Sequence, residues 1–174
     1  MAIYVTSDLH FCHDKNFCWQ ERGYSSIEEM NEDLVKKYNS VITDEDIIYI
    51  LGDCMLLDNE KGIELLKSLK GHKYLAYGNH DSDNRIELYN FYNIFEDIQM
   101  GYRIKYKKKY FILTHYPTIV GNYGDEKPLW SLCGHLHTKD KFIDIDKKCY
   151  HVEVDAHNNY PVLLDDIIKD LKEI

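Results

Sequence analysis

The sequence predicts an α/β fold that starts as a parallel strand–helix core and ends in antiparallel strands. In the first half, short apolar runs alternate with amphipathic stretches of helical period, an order that implies parallel pairing through crossovers. In the second half, apolar runs are joined by short polar turns, the pattern of hairpins. A third observation concerns function. Five of the apolar runs end in side chains able to bind metals, and strand C-terminal ends in an open α/β sheet line one crevice.

Residues 3–7 form the first buried strand, and a polar loop with Asp8, His10, Cys12 and His13 follows. Ser26 and Glu29 have the spacing of a capping box. The helix that they open carries Ile27, Met30, Leu34 and Tyr38 on one face and is expected to end at Asn39-Ser40. Residues 47–51 are the second strand. Residues 60–70 are the next helix, with Ile63, Leu66 and Leu69 inward and Gly71 as its stop. Residues 73–77 make the third strand and 84–90 a short helix. Residues 98–106 and 110–113 read as one hairpin, with the basic run 105–109 as its solvated turn. Residues 142–145 and 149–154 read as another hairpin, turning at Asp146-Lys147-Lys148, and 164–171 as a terminal helix. The irregular stretch 118–128 follows His115 and is expected to wall the site.

The metal-binding segments are Asp8-Leu9-His10, Gly52-Asp53, Gly78-Asn79-His80-Asp81, His115 and Gly134-His135-Leu136-His137. Two carboxylates (Asp8, Asp53), one amide (Asn79) and four imidazoles (His10, His115, His135, His137) make seven donors. One cation takes about four to six. Seven donors with one shared carboxylate suit two cations and leave room for water and substrate. His80 is left over beside Asn79, and imidazole titrates near neutrality, so it suits a general acid. The bland readings are a turn for Gly-Asn, a core histidine for His115 and a surface turn for residues 134–137. All five segments in order, each after an apolar run, weigh against them.

In that order the segments resemble the calcineurin-like metallophosphoesterase superfamily, and the likeness runs from Thr6 to His137. The short length, the opening Ser7-Asp8-Leu9-His10-Phe11 and the tail 154–162 resemble its compact bacterial and phage branch of predicted phosphoesterases. The resemblance implies a four-layer α/β/β/α sandwich, with two mixed sheets flanked by helices. It implies that Asp8, His10 and His137 hold one metal, that Asn79, His115 and His135 hold a second, that Asp53 bridges, and that His80 faces the leaving group. It also implies hydrolysis of phosphomono- or phosphodiesters by a metal-activated water. Manganese is the leading cofactor expectation; iron, zinc, nickel and cobalt also accept imidazole and carboxylate. His13 and Arg85 are expected at the substrate phosphate, and Asp58 is weighed as a group that orients His80. Asp155 and His157 are marked as a rim of the pocket, and His72 and His151 as surface or strand residues.

The 174 residues suit one domain, residues 1–174. No run of about 18 apolar residues is present, and the N-terminus enters a strand without a basic, cleavable leader, so a cytoplasmic protein is expected. Five cysteines without CxxC spacing read as free thiols; Cys12 and Cys54 lie close to expected ligands, but the resemblance gives cysteine no ligand role. A net charge of −9 disfavours a broad nucleic-acid footprint, and a small phosphorylated substrate is the expected partner. The alternatives are a nuclease or cyclic-nucleotide phosphodiesterase, and a non-catalytic metal-binding scaffold. A complete ligand set with His80 argues against the scaffold.

Overall fold

In chain order the elements are β1 (Ile3–Thr6), α1 (Asn16–Trp19), α2 (Ile27–Val41), β2 (Ile47–Ile50), α3 (Asn59–Lys67), β3 (His72–Ala76), α4 (Asp83–Phe91) and β4 (Asp97–Gln99). Then follow β5 (Gly101–Tyr106), β6 (Lys109–Thr114), β7 (Leu129–Cys133), β8 (Phe142–Ile143), β9 (Asp146–His151), a 3₁₀ turn (Val154–His157), β10 (Val162–Leu163) and α5 (Leu164–Asp170). The computed structural model describes residues 1–122, 127–143 and 146–172.

The strands form two five-stranded mixed sheets, ordered β10-β1-β2-β3-β4 and β5-β6-β7-β9-β8. In the first, β1 to β4 are parallel and β10 closes the β1 edge antiparallel. In the second, β6, β7 and β9 are parallel, while β5 and β8 flank them antiparallel. The fold is therefore the expected pair of mixed sheets flanked by helices.

Two cores hold it together. Met30, Leu34 and Tyr38 of α2, with Ile63 and Leu66 of α3, pack on Ile48, Ile50 and Leu75 of the first sheet. Val5 and Ala76 of the same sheet join Phe111, Leu113, Leu132 and Tyr150 of the second, together with Leu164 and Ile167 of α5. Alternation along β2 explains the split, since successive side chains face opposite sides of a sheet. The sheets are also stitched at one point near the site. Ser7 forms a parallel bridge with Glu153, and Val154 N–H donates to Ser7 O at 3.2 Å.

Several local expectations hold. Ser26 accepts a bond from Glu29 N–H at 3.1 Å, so the capping residue sits where the sequence put it. The helix runs to Val41, one residue beyond the expected stop at Asn39-Ser40. Lys107 and Lys108 have φ of 46° and 65° and make the two-residue turn between Tyr106 and Lys109, which is the geometry of a type I′ hairpin.

Others are corrected. Asp146-Lys147-Lys148 is not a turn; it opens β9, whose pairing with β8 begins at Ile143 and Asp146. The chain between, residues 144–145, lies outside the described residues, as do 123–126 of the stretch expected to wall the site. Asp58 does not orient His80. Its carboxylate accepts Lys61 N–H at 3.0 Å and caps α3.

Ser26→Ala removes one of the donor–acceptor pairs that opens α2. It should lower stability by about 1 kcal/mol in urea unfolding, with little change in the denaturant slope.

Candidate metal centre

The loops that leave β1, β2, β3, β6 and β7 carry all seven expected ligands and His80. They are locked to one another by backbone bonds that copy a sheet. Asp8 N–H donates to Gly52 O at 3.0 Å, and His10 N–H to Asp53 O at 3.0 Å. Asp81 ties the β2 loop to the β3 loop. Its Oδ2 accepts Asp53 N–H at 2.8 Å and Gly78 N–H at 2.9 Å. Its Oδ1 accepts Cys54 N–H at 3.2 Å and the Tyr89 hydroxyl at 3.0 Å. Gly52 is required here: its φ is +83°, and a Cβ would stand 2.6 Å from Gly78 N and from His115 Nδ1.

The side chains converge on Asp53. Its Oδ2 lies 3.5 Å from both His10 Nε2 and His115 Nε2, and 3.9 Å from His80 Nε2. Its Oδ1 accepts His80 N–H at 2.9 Å. Toward β1, Asp8 Oδ1 lies 3.7 Å from His10 Nε2 and 3.5 Å from His137 Nε2. Toward β6, His115 Nε2 lies 2.9 Å from Asn79 Oδ1 and 3.2 Å from His135 Nδ1. Asp8, His10 and His137 thus form one cluster, and Asp53, His115 and His135 another.

These contacts join acceptors to acceptors. His115 Nδ1 is 2.8 Å from the Leu51 carbonyl, which only accepts; Nδ1 therefore carries the proton and Nε2 turns a lone pair inward. Asn79 Oδ1 and Asp53 Oδ2 face it with lone pairs of their own. Asp8 Oδ1 and His10 Nε2 are buried without any hydrogen-bond partner, an arrangement that costs free energy unless a cation satisfies them. Donors held about 2.0–2.2 Å from one cation sit about 3 Å apart or slightly more, which is the spacing found here. The residues present fit a pair of divalent cations.

The charge states agree. Burial alone would raise the Asp8 carboxyl, but the His10 imidazole, too distant for a hydrogen bond, and the histidines beyond it bring it down to about 2. Burial pulls His10 down to about 4 against the attraction of Asp8. An ionised Asp8 beside a neutral His10 is the state that binds metal. Burial, reinforced by Asp8 and Asp81 and opposed by His115 and the His80 amide, pushes Asp53 up to about 6.

The backbone at this centre is unusual. Asp8, His10, Asp53, His135 and His137 have φ of 57°, 50°, 55°, 77° and 50°. Five non-glycine residues therefore occupy the left-handed region, where a β-carbon is disfavoured.

The chain matches the Calcineurin-like phosphoesterase family over residues 1–173. It belongs to that family. It is 35% identical over 176 residues to the uncharacterized protein MJ1445 of Methanocaldococcus jannaschii, covering 96% of this chain and 89% of the relative. The crystal structure of a protein of unknown function, AQ665 of Aquifex aeolicus, superposes with a TM-score of 0.72 at 24% identity, covering 97% of this chain and 98% of that one. An archaeal phosphodiesterase aligns at a TM-score of 0.46 and 16% identity over 88% of this chain and 82% of its own. As a family member this phosphoesterase is a metal-dependent phosphate-ester hydrolase.

The remaining site expectations divide. His13 is in the site, buried, with Nδ1 3.2 Å from His10 Nδ1. Arg85 lies against the loop that carries His80. Its Nη1 donates to His80 O at 2.7 Å and its Nε to Asn59 Oδ1 at 3.3 Å, so it supports the loop that carries His80. His151 is the last strand residue of β9, as one of its two expectations had it, and is buried 3.0 Å from Glu153. His157 packs against Tyr150 and contacts the His151 carbonyl at 2.9 Å. Cys18, rather than Cys12 or Cys54, comes within ligand distance of His10 and His13.

Arg22 is the functional residue that sequence reasoning missed. Its side chain is 1% exposed. Nε and Nη2 donate to the two Asp155 oxygens at 3.0 and 2.9 Å. Nη2 also donates to Asp8 O at 2.7 Å, and Nη1 to Leu9 O at 3.2 Å. Asp155 Oδ2 in turn lies 3.2 Å from His137 Nδ1, the geometry of a carboxylate that orients a ligating histidine through its far nitrogen. No local pattern announces this pair, because its members are 133 positions apart.

Arg22→Ala would leave the buried Asp155 carboxylate with His137 but without its guanidinium partner, and should cost about 3 kcal/mol in urea unfolding of the metal-free chain. The Asp155 carboxyl sits below its ordinary 3.8, because His137 and Arg22 outweigh burial. The stability difference between wild type and Asp155→Asn should thus be full above about pH 4 and shrink as the pH falls through the folded-state value.

Proposed function

We propose that this phosphoesterase hydrolyses a small phosphate ester with two divalent cations and with His80 as general acid. In this reading Asp8, His10 and His137 hold one cation, Asn79, His115 and His135 hold the other, and Asp53 bridges them. The observation that carries it is the position of Asp53 Oδ2, 3.5 Å from His10 Nε2 and from His115 Nε2. Cations held by these residues would supply Lewis acidity toward the phosphoryl oxygens and toward a water nucleophile. Manganese is the cation we expect.

The chain's own residues do the rest. Asp81 holds the Asp53 and Gly78 amides, which keeps the β2 and β3 loops at fixed separation. Arg22 and Asp155 orient His137 and pin the Asp8 backbone. The His80 side chain is 38% exposed, so it can meet a substrate arriving from solvent. Its backbone is gripped at both ends: the N–H by Asp53 and the carbonyl by Arg85. The ring delivers a proton to the leaving oxygen as the phosphorus–oxygen bond breaks. A small substrate accords with the net charge of −9, which repels long polyanions. We place the protein in the cytoplasm, where five free thiols persist.

His80→Ala should lower kcat on bis(p-nitrophenyl) phosphate by about 10²–10⁴-fold with manganese, while metal content by elemental analysis stays the same. Equal turnover in the variant rejects His80 as the acid. Absence of turnover on any ester by the metal-loaded wild type rejects the hydrolase and favours a scaffold.

A further inference from the structure

Large apolar side chains lie open to solvent beside the centre. On the β1 side, the short helix α1 turns Cys18 inward and leaves Phe17 61% exposed. The Phe17 ring meets His13 edge-on, with centroids 5.4 Å apart at 89°. His13 in turn lies 5.2 Å from His10 and 6.1 Å from His80, ring to ring. On the β6 side, Tyr116 is 51% exposed. Its ring packs at 5.0 Å on His115 and 4.8 Å on His135. Leu136, between His135 and His137 in the chain, is half-exposed.

We propose that Phe17 and Tyr116 are two aromatic subsites that take the two organic groups of a phosphodiester, each of them flat and apolar. The proposal rests on the phosphoesterase reading above and deepens it. An exposed aromatic ring fastened to a site histidine by one edge keeps the rest of its surface for a ligand. Aromatic side chains that line a polar centre supply the apolar contact that fixes an organic substrate there. A phosphate ester always brings an organic group, and a diester brings two. The two rings serve different ligand clusters, Phe17 through His13 the one with His10 and Tyr116 the one with His115 and His135, which matches two substituents leaving phosphorus in different directions; a monoester would leave one ring bare.

The proton donor sets the polarity of the arrangement. Phe17 is on the His80 side, so the group that it packs against is the leaving group. Water oxygen bonds to phosphorus and releases a proton to solvent, the bond from phosphorus to the leaving oxygen breaks, and His80 protonates that oxygen. The group beside Tyr116 stays on the product monoester.

Two measurements test this. The first is calorimetric binding of diphenyl phosphate and dimethyl phosphate to manganese-loaded His80→Ala protein. The diphenyl ester should bind about tenfold tighter or better, and the advantage should fall below about threefold when Phe17→Ala and Tyr116→Ala are added. The second is turnover of phenyl p-nitrophenyl phosphate against methyl p-nitrophenyl phosphate, which share a leaving group. Tyr116→Ala should lower kcat/KM for the phenyl ester about fivefold more than for the methyl ester, and Phe17→Ala should lower both. Equal binding and equal turnover of aromatic and methyl esters overturn the subsites and leave the phosphoesterase reading intact. A higher kcat/KM on p-nitrophenyl phosphate than on its diester overturns the two-substituent assignment. No turnover of any ester sinks the hydrolase reading instead, and the binding measurement still decides the subsites.

Discussion

The carboxylate of Asp81 is the fixed point from which the centre is built. It is buried and accepts four donors: the amides of Asp53, Cys54 and Gly78, and the Tyr89 hydroxyl. Three of these belong to the two loops that leave β2 and β3, and the fourth to helix α4. A loop after a strand has many accessible paths. Four bonds to charged oxygens, stronger than neutral ones, select one. With the β2 and β3 loops joined, Asp53 holds the His80 amide with Oδ1 and presents Oδ2 to the crevice, and the His115 ring meets it from the second sheet. The convergence of donors from two sheets thus depends on one side chain that touches none of the reacting groups.

The second sheet is held to this frame at the seam between Ser7 and Glu153. The bridge lies next to Asp8, and Asp155 follows it by two residues. The pairing that joins the sheets therefore also delivers the carboxylate that meets His137 and Arg22. Packing and chemistry share these few residues, and a shift of one sheet against the other would alter the spacing between the two ligand clusters.

Much of this was legible in the sequence, for a physical reason. In the first half, helices and strands alternate with clear periods, and each metal-binding segment directly follows its strand; order along the chain is then order in space. The Ser26 cap, the α2 face and the Lys107-Lys108 turn were readable because each is decided within a few residues. The turn placed at Asp146-Lys148 failed because polar residues next to a strand edge resemble a turn, and cross-strand pairing decides between the two. Arg85 was assigned because it follows the Gly-Asn-His-Asp segment, and Asp58 because it follows Gly52-Asp53. The structure gives one to the His80 carbonyl and the other to the first turn of α3. Arg22 and Asp155 were unreadable as a pair, since a buried ion pair spanning 133 positions leaves no periodic trace. The isolated signal was Asp155 itself, an acid just after a buried strand; its partner has no such marker.

The left-handed backbone at Asp8, His10, Asp53, His135 and His137 has a consequence for how this chain came to hold these residues. Glycine adopts that conformation freely; a side-chain-bearing residue gives up on the order of 1 kcal/mol or more at each position. A protein shaped only for durability would fill such turns with glycine. Here five residues in three neighbouring loops resist that drift, so the fold is less robust than it could be. The deficit is localised where the ligand groups stand, and it is the mark of a framework bent to suit a guest.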